Sequence, residues 1–422
     1  MTPTPDDPPA RGASGAPAAP APRAATPSPW TVPTARLTSL DFLRGVAALA
    51  VVAHHCINFG WGQNMPMHLA WFRALHAVVN RGDLGVPLFF VISGFCIHMR
   101  WARRYAETGR ADTDFAGFWK RRIHRLYPPY FFMLLISTAL LVTGVLLGRQ
   151  TAMVTRYPNP KGPWIAWDFA SHVFMLHGFH PLFDLGGGNP PFWTLAREEY
   201  FYALYFLLLA WRRPRGVAGA VLGPLVLGIA FPAAVAPLLL RVPGGEEWWT
   251  LVRTSAFALW IQWVLGLLAV EGYFGLVRLP RWCSWGWLVP VWGALALVAE
   301  RHFPATLPAV VPSLSPALWG MTFFTLLNFC VGLERAGRWP RTRLVAWLTR
   351  AGIFSYSLYL VHVPARAILK QLLGPLAATR SAVVYLLVAA LLAVCGYYAG
   401  KIYFLLVERR FLNTAPPRRA PS

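Results

Sequence analysis

Charge is scarce in this 422-residue chain, and acidic charge above all. Only 13% of residues are Asp, Glu, Lys or Arg and 17 are acidic, while 56% are hydrophobic. That excludes a soluble protein of this size, whose surface would need more charged cover. Cysteine is also scarce. The five (Cys56, Cys96, Cys283, Cys330 and Cys395) sit in or beside apolar stretches without CxxC spacing, which excludes a disulfide framework and a cysteine metal site. There is no internal repeat, so an inverted-repeat transporter finds no support. There is no lipase-type elbow on a strand. Ser93 in GVPLFFVISGF therefore reads, with Gly94, as a close helix-packing position and not as a nucleophile.

What the chain does have is long apolar runs and 20 Trp. About ten stretches are long enough to cross a bilayer, near 40–60, 84–101, 129–148, 192–211, 216–240, 253–274, 284–300, 314–333, 350–372 and 382–407. The expected fold is all-α, a polytopic membrane helix bundle of about ten transmembrane helices occupying residues 36–410. Residues 1–35, rich in Pro, Ala, Ser and Thr, are expected to be a disordered cytoplasmic tail and not a signal peptide, and 411–422 a second, basic tail. No soluble catalytic domain is expected at either end, so any chemistry belongs to the bundle or its faces.

The net charge of +22 would suit nucleic acid only if its distribution were ignored. The excess falls on one side at each short loop: Arg212, Arg213 and Arg215; Arg278 and Arg281; Arg335 to Arg350; Arg409 and Arg410. This positive-inside pattern places both termini in the cytoplasm of a multi-pass protein of the inner (plasma) membrane, with lipid and not nucleic acid as its partner. Two loops are long. The inner one, about 100–128, carries FWKRRIHRLYPPY, with Phe118, Arg122 and Arg125 at helical spacing, and predicts an interfacial helix leading into the third span. The outer one, about 149–191, contains SHVFMLHGFHPLFDLGGGNPP, whose apolar part is too short to span and predicts a re-entrant or surface-lying segment.

The first span, LDFLRGVAALAVVAHH, holds four ionisable residues that a plain anchor would avoid. Asp41, Arg44 and His55 share one helical face, with Arg44 and His55 three turns or about 16 Å apart, while His54 points about 100° away. An inner Arg suits an anionic ligand, and a deeper His suits proton transfer because it titrates near working pH. The structural alternative is that Arg44 snorkels inward and His55 bridges two helices. Both readings stand on spacing alone. The fourth span opens with FWTLAREEYFYALYF, so Glu198 and Glu199 enter from outside at the depth expected of His55. A carboxylate there would orient an imidazole or take a proton, or else pair with Arg197. His362 in SYSLYLVHVP is a further candidate, alone more often a helix–helix bond than a catalyst. Lys120, Arg121, Arg122 and Arg125 would bind phosphates, or fix topology and bind anionic lipid. The spacing of His172, His177, His180 and Asp184 matches no dependable zinc pattern, so no metal is expected.

As a set, LDFLRGVAALAVVAHH, GDLGVPLFFVISGF, FWKRRIHRLYPPYF, SHVFMLHGF, FWTLAREEYFYALY and SYSLYLVH resemble, in order, the motifs of the acyltransferase-3 family of integral-membrane acyltransferases. That family includes polysaccharide O-acetylases and macrolide acylases. The resemblance implies transfer of an acyl group, most simply acetyl, from cytoplasmic acyl-CoA to a hydroxyl of a carbohydrate-containing acceptor. It makes Arg44 and His55 the family's Arg/His pair, with His55 either a general base on the acceptor hydroxyl or a transient carrier of the acyl group. It also assigns Arg122 and Arg125 to the acyl-CoA donor, and selects Glu198 over Glu199 as the acid that orients or charge-balances His55. Arg197 departs from the family's pattern, which more often has a small or apolar residue there. Without a fused extracellular esterase-like domain, the chain is expected either to finish the transfer itself or to pass the acyl group to a separate acyl-accepting protein. The competing expectation is a transporter or flippase, which would show Gly/Pro-broken spans in matching halves.

Overall fold

A computed structural model describes residues 37–58, 65–111, 114–148, 163–301, 314–377 and 381–412. The expected tail at 1–35 lies outside the described residues, as does 413–422 of the second one. The described residues form helices joined by short turns, with no strand among them.

The first helix, α1 (Thr38–Ile57), starts with orphan backbone N–H groups that no local side chain caps. Glu334, far along the chain, supplies the cap: its carboxylate accepts from Thr38 and Ser39 N–H at 2.7 and 2.8 Å. α2 (Ala70–Val79) leads through a 3₁₀ turn into α3 (Gly85–Thr108). α4 (Phe115–Leu146) is capped by Asp114, whose side chain accepts from Gly117 N–H at 2.8 Å. The basic run expected to be an interfacial helix leading into the third span forms the first turns of α4, which continues unbroken through Pro128 and Pro129. These prolines remove two backbone donors. The hydroxyls of Tyr356 and Tyr403 donate to the nearby carbonyls of Leu126 and Pro129.

The outer loop returns into the bundle. α5 (Trp164–Val173) runs down α4: Trp164 and Ile165 pack near Leu141 and Val145, while Tyr127 and Tyr130 donate to the carbonyls of Val173 and His172. Ten residues reach about 15 Å, which makes α5 re-entrant and not a span. After the single turn of α6 (Pro181–Asp184), the chain enters α7 (Phe192–Leu239). α8 (Gly245–Arg253), α9 (Ala256–Tyr273), α10 (Leu288–Arg301), α11 (Ser315–Arg335), α12 (Arg343–Ile353), α13 (Ser355–Ala377) and α14 (Ala382–Leu406) complete the bundle.

Among the described residues, seven helical runs are long and apolar enough to cross a membrane, or eight if α12 and α13, bent by 79°, form one span. The chain is an all-α polytopic membrane bundle. The expected count of about ten differs at two places. The fourth and fifth expected spans are two helical stretches of α7 that meet at Gly216 (φ 66°, ψ −168°), a conformation suited to glycine, and so count once in that total. Trp211 bonds across that break to the carbonyl of Gly219 at 3.1 Å. The seventh, α10, has 14 residues and is too short to span alone.

Small residues set how closely the helices cross. A Cβ on Gly94 of α3 would lie 1.9 Å from the Trp263 carbonyl oxygen of α9, and one on Gly266 of α9 1.9 Å from that of Val91. α1 and α12 cross in the same way through Gly45 and Gly352. Backbones this close tolerate no side chain, so the α3–α9 crossing and the seating of the first turns of α1 on α12 depend on glycine.

Candidate functional site

α1 carries one polar group near each end. Arg44, in the N-terminal half of α1, has a part-exposed side chain whose Nη1 pairs with Asp41 Oδ1 at 3.0 Å and whose Nη2 reaches Cys96 Sγ at 3.1 Å. Asp41 is buried and thus holds Arg44 against α3. Arg122 and Arg125 extend from α4 to the same region. The Arg122 guanidinium lies 5.9 Å from the ring centres of both Phe118 and Tyr202, and Arg125 has Arg44, Arg122 and Glu408 as its charged neighbours. Three cations from two helices therefore converge, with Asp41, Glu198, Glu199 and Glu408 as the acids around them. Such a cluster can receive an anionic ligand, because arginine forks match phosphate oxygens.

Glu198 belongs to this arginine cluster. Its carboxylate accepts from the Tyr202 hydroxyl at 3.3 Å and bonds with Ser93, and its charged neighbours are Arg122 and Arg44. The partners of His55 do not include it. The expectation that Glu198 orients His55 is therefore corrected. Depth was counted from an outer start for α7, but the re-entrant loop delivers Phe192 onto Tyr130, ring centres 4.9 Å apart, well below the outer end of α4. Glu198 thus sits lower than its position after the outer loop implies. The alternative pairing of a glutamate with Arg197 is also replaced. Fully buried Arg197 pairs with Asp184 at 2.8 Å, donates to the Thr254 carbonyl at 2.7 Å, and so ties the re-entrant loop to α7 and α8.

Three turns of α1 beyond Arg44, about 16 Å, His55 faces a cavity of about 1010 Å³. Its Nδ1 lies 3.0 Å from the Val51 carbonyl, which can only accept, so Nδ1 carries the proton and Nε2 is left with its lone pair. His362 on α13 supports that tautomer. Its own Nδ1 donates to the Tyr359 carbonyl at 2.7 Å, leaving its Nε2 as an acceptor 3.4 Å from His55 Nδ1. The two rings meet edge to face at 4.9 Å. His54, turned aside as helical phase requires, bonds through Nδ1 to the Asn80 carbonyl, although it also borders the cavity. Asp41, Arg44 and His55 thus lie along α1 as expected, and His362 joins His55.

Arg366 is a wall residue that lies within the expected ninth span, 350–372, and was not among the candidates. Its Nη1 donates to the His55 carbonyl at 2.8 Å, and it borders the cavity. A signal was present, since Arg366 follows His362 by four residues and shares its helical face. Tyr359, also on this wall, bonds Thr194 at 2.8 Å and the Pro191 carbonyl at 3.2 Å, fixing the start of α7 beside the cavity. Trp193, Trp249 and Trp319 give the cavity aromatic faces. Nothing in the sequence near any one of them marked it as part of a site.

The histidines of the outer loop have separate tasks. His172 and His177 stack in parallel at 3.8 Å, His172 pairs with Asp168 at 3.3 Å, and His180 caps α6 by accepting from Leu182 N–H. Burial first, and then the charges of His172 and Arg197, hold His177 well below the ordinary histidine range. Among the described residues, no group of three or more His, Cys, Asp or Glu is placed to hold a metal ion.

Residues 37–399 match the family described as an acyltransferase domain, Acyl_transf_3. Acyltransferase MdmB of Streptomyces mycarofaciens is 27% identical over 346 residues, 78% of each chain. The peptidoglycan O-acetyltransferase OatA of Listeria monocytogenes is 28% identical over 217 residues, 49% of this chain and 30% of that protein. YrhL of Bacillus subtilis is 32% identical over 223 residues, 50% of this chain and 29% of that protein. The chain thus spans less than a third of the length of the last two relatives. No solved structure matches it. With the family match covering most of the bundle, from α1 into α14, the chain belongs to the acyltransferase-3 family of membrane proteins.

Proposed function

We propose that this protein is an O-acyltransferase of the plasma membrane, with both termini cytoplasmic. It moves an acyl group, most simply acetyl, from cytoplasmic acyl-CoA to a hydroxyl of a carbohydrate-containing acceptor on the outer side. One observation carries the reading: a single helix, α1, presents Arg44 to a three-arginine cluster at one end and His55 to a large cavity near the other. Arg122, Arg125 and Arg44 bind the phosphates of CoA. Glu198 holds the arginines in place by offsetting their mutual repulsion. The acceptor lies in the cavity with its hydroxyl against His55 Nε2. His55 takes the hydroxyl proton as the oxygen attacks the thioester carbonyl carbon; the C–S bond breaks, and the proton passes to the departing thiolate. His362 is a positioning residue that keeps the proton on His55 Nδ1 and the lone pair on Nε2. The relatives named as an acyltransferase and as a peptidoglycan O-acetyltransferase agree with this class of reaction.

The test uses membranes containing the full chain, labelled acetyl-CoA and a surface-glycan fraction, comparing wild type with His55→Ala and His54→Ala. The expected result is label on the glycan, lost with His55→Ala and largely kept with His54→Ala. Full transfer by His55→Ala with loss in His54→Ala overturns the assignment of the base. No label with any version, but uptake of a solute, favours a transporter.

A further inference from the structure

This inference rests on the acyl-transfer reading and concerns which acceptor the cavity takes. Arg366 stands on its wall beside the base. One guanidinium nitrogen is spent on the His55 carbonyl, while Nε is buried without a hydrogen-bond partner. The titratable groups around it are His55, Cys56, His362, Lys370 and Tyr385, and none is a carboxylate. The acids on the cavity wall are engaged elsewhere. Glu300 pairs with Arg81 and accepts from Trp319 Nε1 at 2.7 Å and Ser315 at 3.2 Å, and Asp83 has Arg81 as its nearest cation. Arg81 is thus answered by protein carboxylates and Arg366 is not. A half-buried guanidinium without a counter-ion is costly, and the cost is recovered when a ligand supplies the anion.

We propose that Arg366 selects an anionic acceptor, whose carboxylate or phosphate binds its guanidinium while the nearby hydroxyl meets His55 Nε2. The tryptophan faces of the cavity take the sugar ring. Two sources of that charge fit the same fork: a uronic-type carboxylate on the sugar, or a phosphate joining the sugar to a carrier.

The test uses the purified full chain in detergent with three acceptors: a glucuronate-containing oligosaccharide, its neutral glucose counterpart, and a hexose phosphate. Transfer from labelled acetyl-CoA is measured as kcat and KM, and binding without donor as a thermal shift. Wild type is expected to favour an anionic acceptor over the neutral one. Arg366→Gln, which keeps a donor for the His55 carbonyl, should reduce the anionic-to-neutral ratio of kcat/KM by about tenfold to a hundredfold, mainly through KM. Arg366→Lys should fall between. Which anionic acceptor shows the larger change identifies the source of the charge. Equal losses for all acceptors in Arg366→Gln, with a lower Tm, would mean that Arg366 only ties α13 to α1. If neither anionic acceptor stabilises wild type more than the neutral one, the proposal is overturned, whatever the transfer result. Transfer to the neutral acceptor without anionic preference leaves the acyl-transfer reading standing and removes this inference. An anion-dependent thermal shift lost in Arg366→Gln, without transfer to any acceptor, does the reverse.

Discussion

Two of the histidine clusters in this bundle differ in a way that separates framework from site. His98 on α3 lies between the Tyr205 hydroxyl at 2.9 Å and Glu271 of α9 at 3.0 Å, and Glu271 is paired in turn by Arg212 of α7 at 2.8 Å. Arg212 lies over the Trp101 ring at 4.9 Å. Acid, base and aromatic face answer one another, so the cluster joins three helices and leaves little for a ligand. The cluster of His55, His362 and Arg366 has backbone carbonyls as its partners, lacks a carboxylate, and borders a large cavity. A closed polar network specifies packing, whereas an open one beside a cavity is available for chemistry.

The largest expected effect sharpens that contrast. Removing the base with His55→Ala should lower kcat by about 10²–10⁴-fold while leaving the thermal unfolding temperature close to wild type. The complementary change is Glu271→Ala. It strips Arg212 and His98 of their counter-ion and should cost about 3–5 kcal/mol of stability, with transfer per folded molecule unchanged. Scanning calorimetry in detergent, paired with labelled transfer normalised to folded protein, reads both variants. If Glu271→Ala abolished transfer in protein that remained folded, the distinction between framework and site would collapse.

A smaller effect is expected at the Arg44 end of α1. Arg122→Ala should raise KM for acetyl-CoA by about tenfold to a hundredfold with a modest change in kcat. Raising the ionic strength should narrow its difference from wild type, because salt screens a half-exposed phosphate contact. A fall in kcat with unchanged KM would place Arg122 in the transition state and not at the donor.

How much of this was legible depends on whether a feature is local. The stripe of Asp41, Arg44 and His55 was, because helical phase and the side carrying the loop charge are properties of one segment. So was the packing role of Gly94 beside Ser93, now seen against Trp263. Glu198 was assigned to the wrong end because depth depends on where a helix starts, and the re-entrant loop starts α7 deep in the bundle. Arg197 stands next to two glutamates yet pairs with Asp184, since the fold of that loop and not chain proximity chooses its partner. His98 and Glu271 are 173 residues apart, and nothing in either segment announces the other.

The smallest expected effect tests a histidine in neither cluster. His177 is stacked on His172 in the loop packed against α7, and its Nε2 donates to the Phe192 carbonyl at 3.2 Å. Its folded pKa lies well below its ordinary value because burial, then the charges of His172 and Arg197, oppose protonation. In the unfolded chain it takes a proton below about pH 6.5. Between that value and the depressed folded pKa, the unfolded state binds more protons, so stability rises with pH there. The contribution is complete above about pH 6.5 and is lost progressively on acidification, by about 2 kcal/mol at most at pH 5. His177→Phe keeps a ring against His172, cannot titrate, and gives up the bond to Phe192. It should therefore melt lower than wild type at pH 7.5 but lose less on going to pH 5. An equal loss in both proteins would place the acid sensitivity elsewhere and make the stacked pair, like the His98 cluster, part of the packing alone.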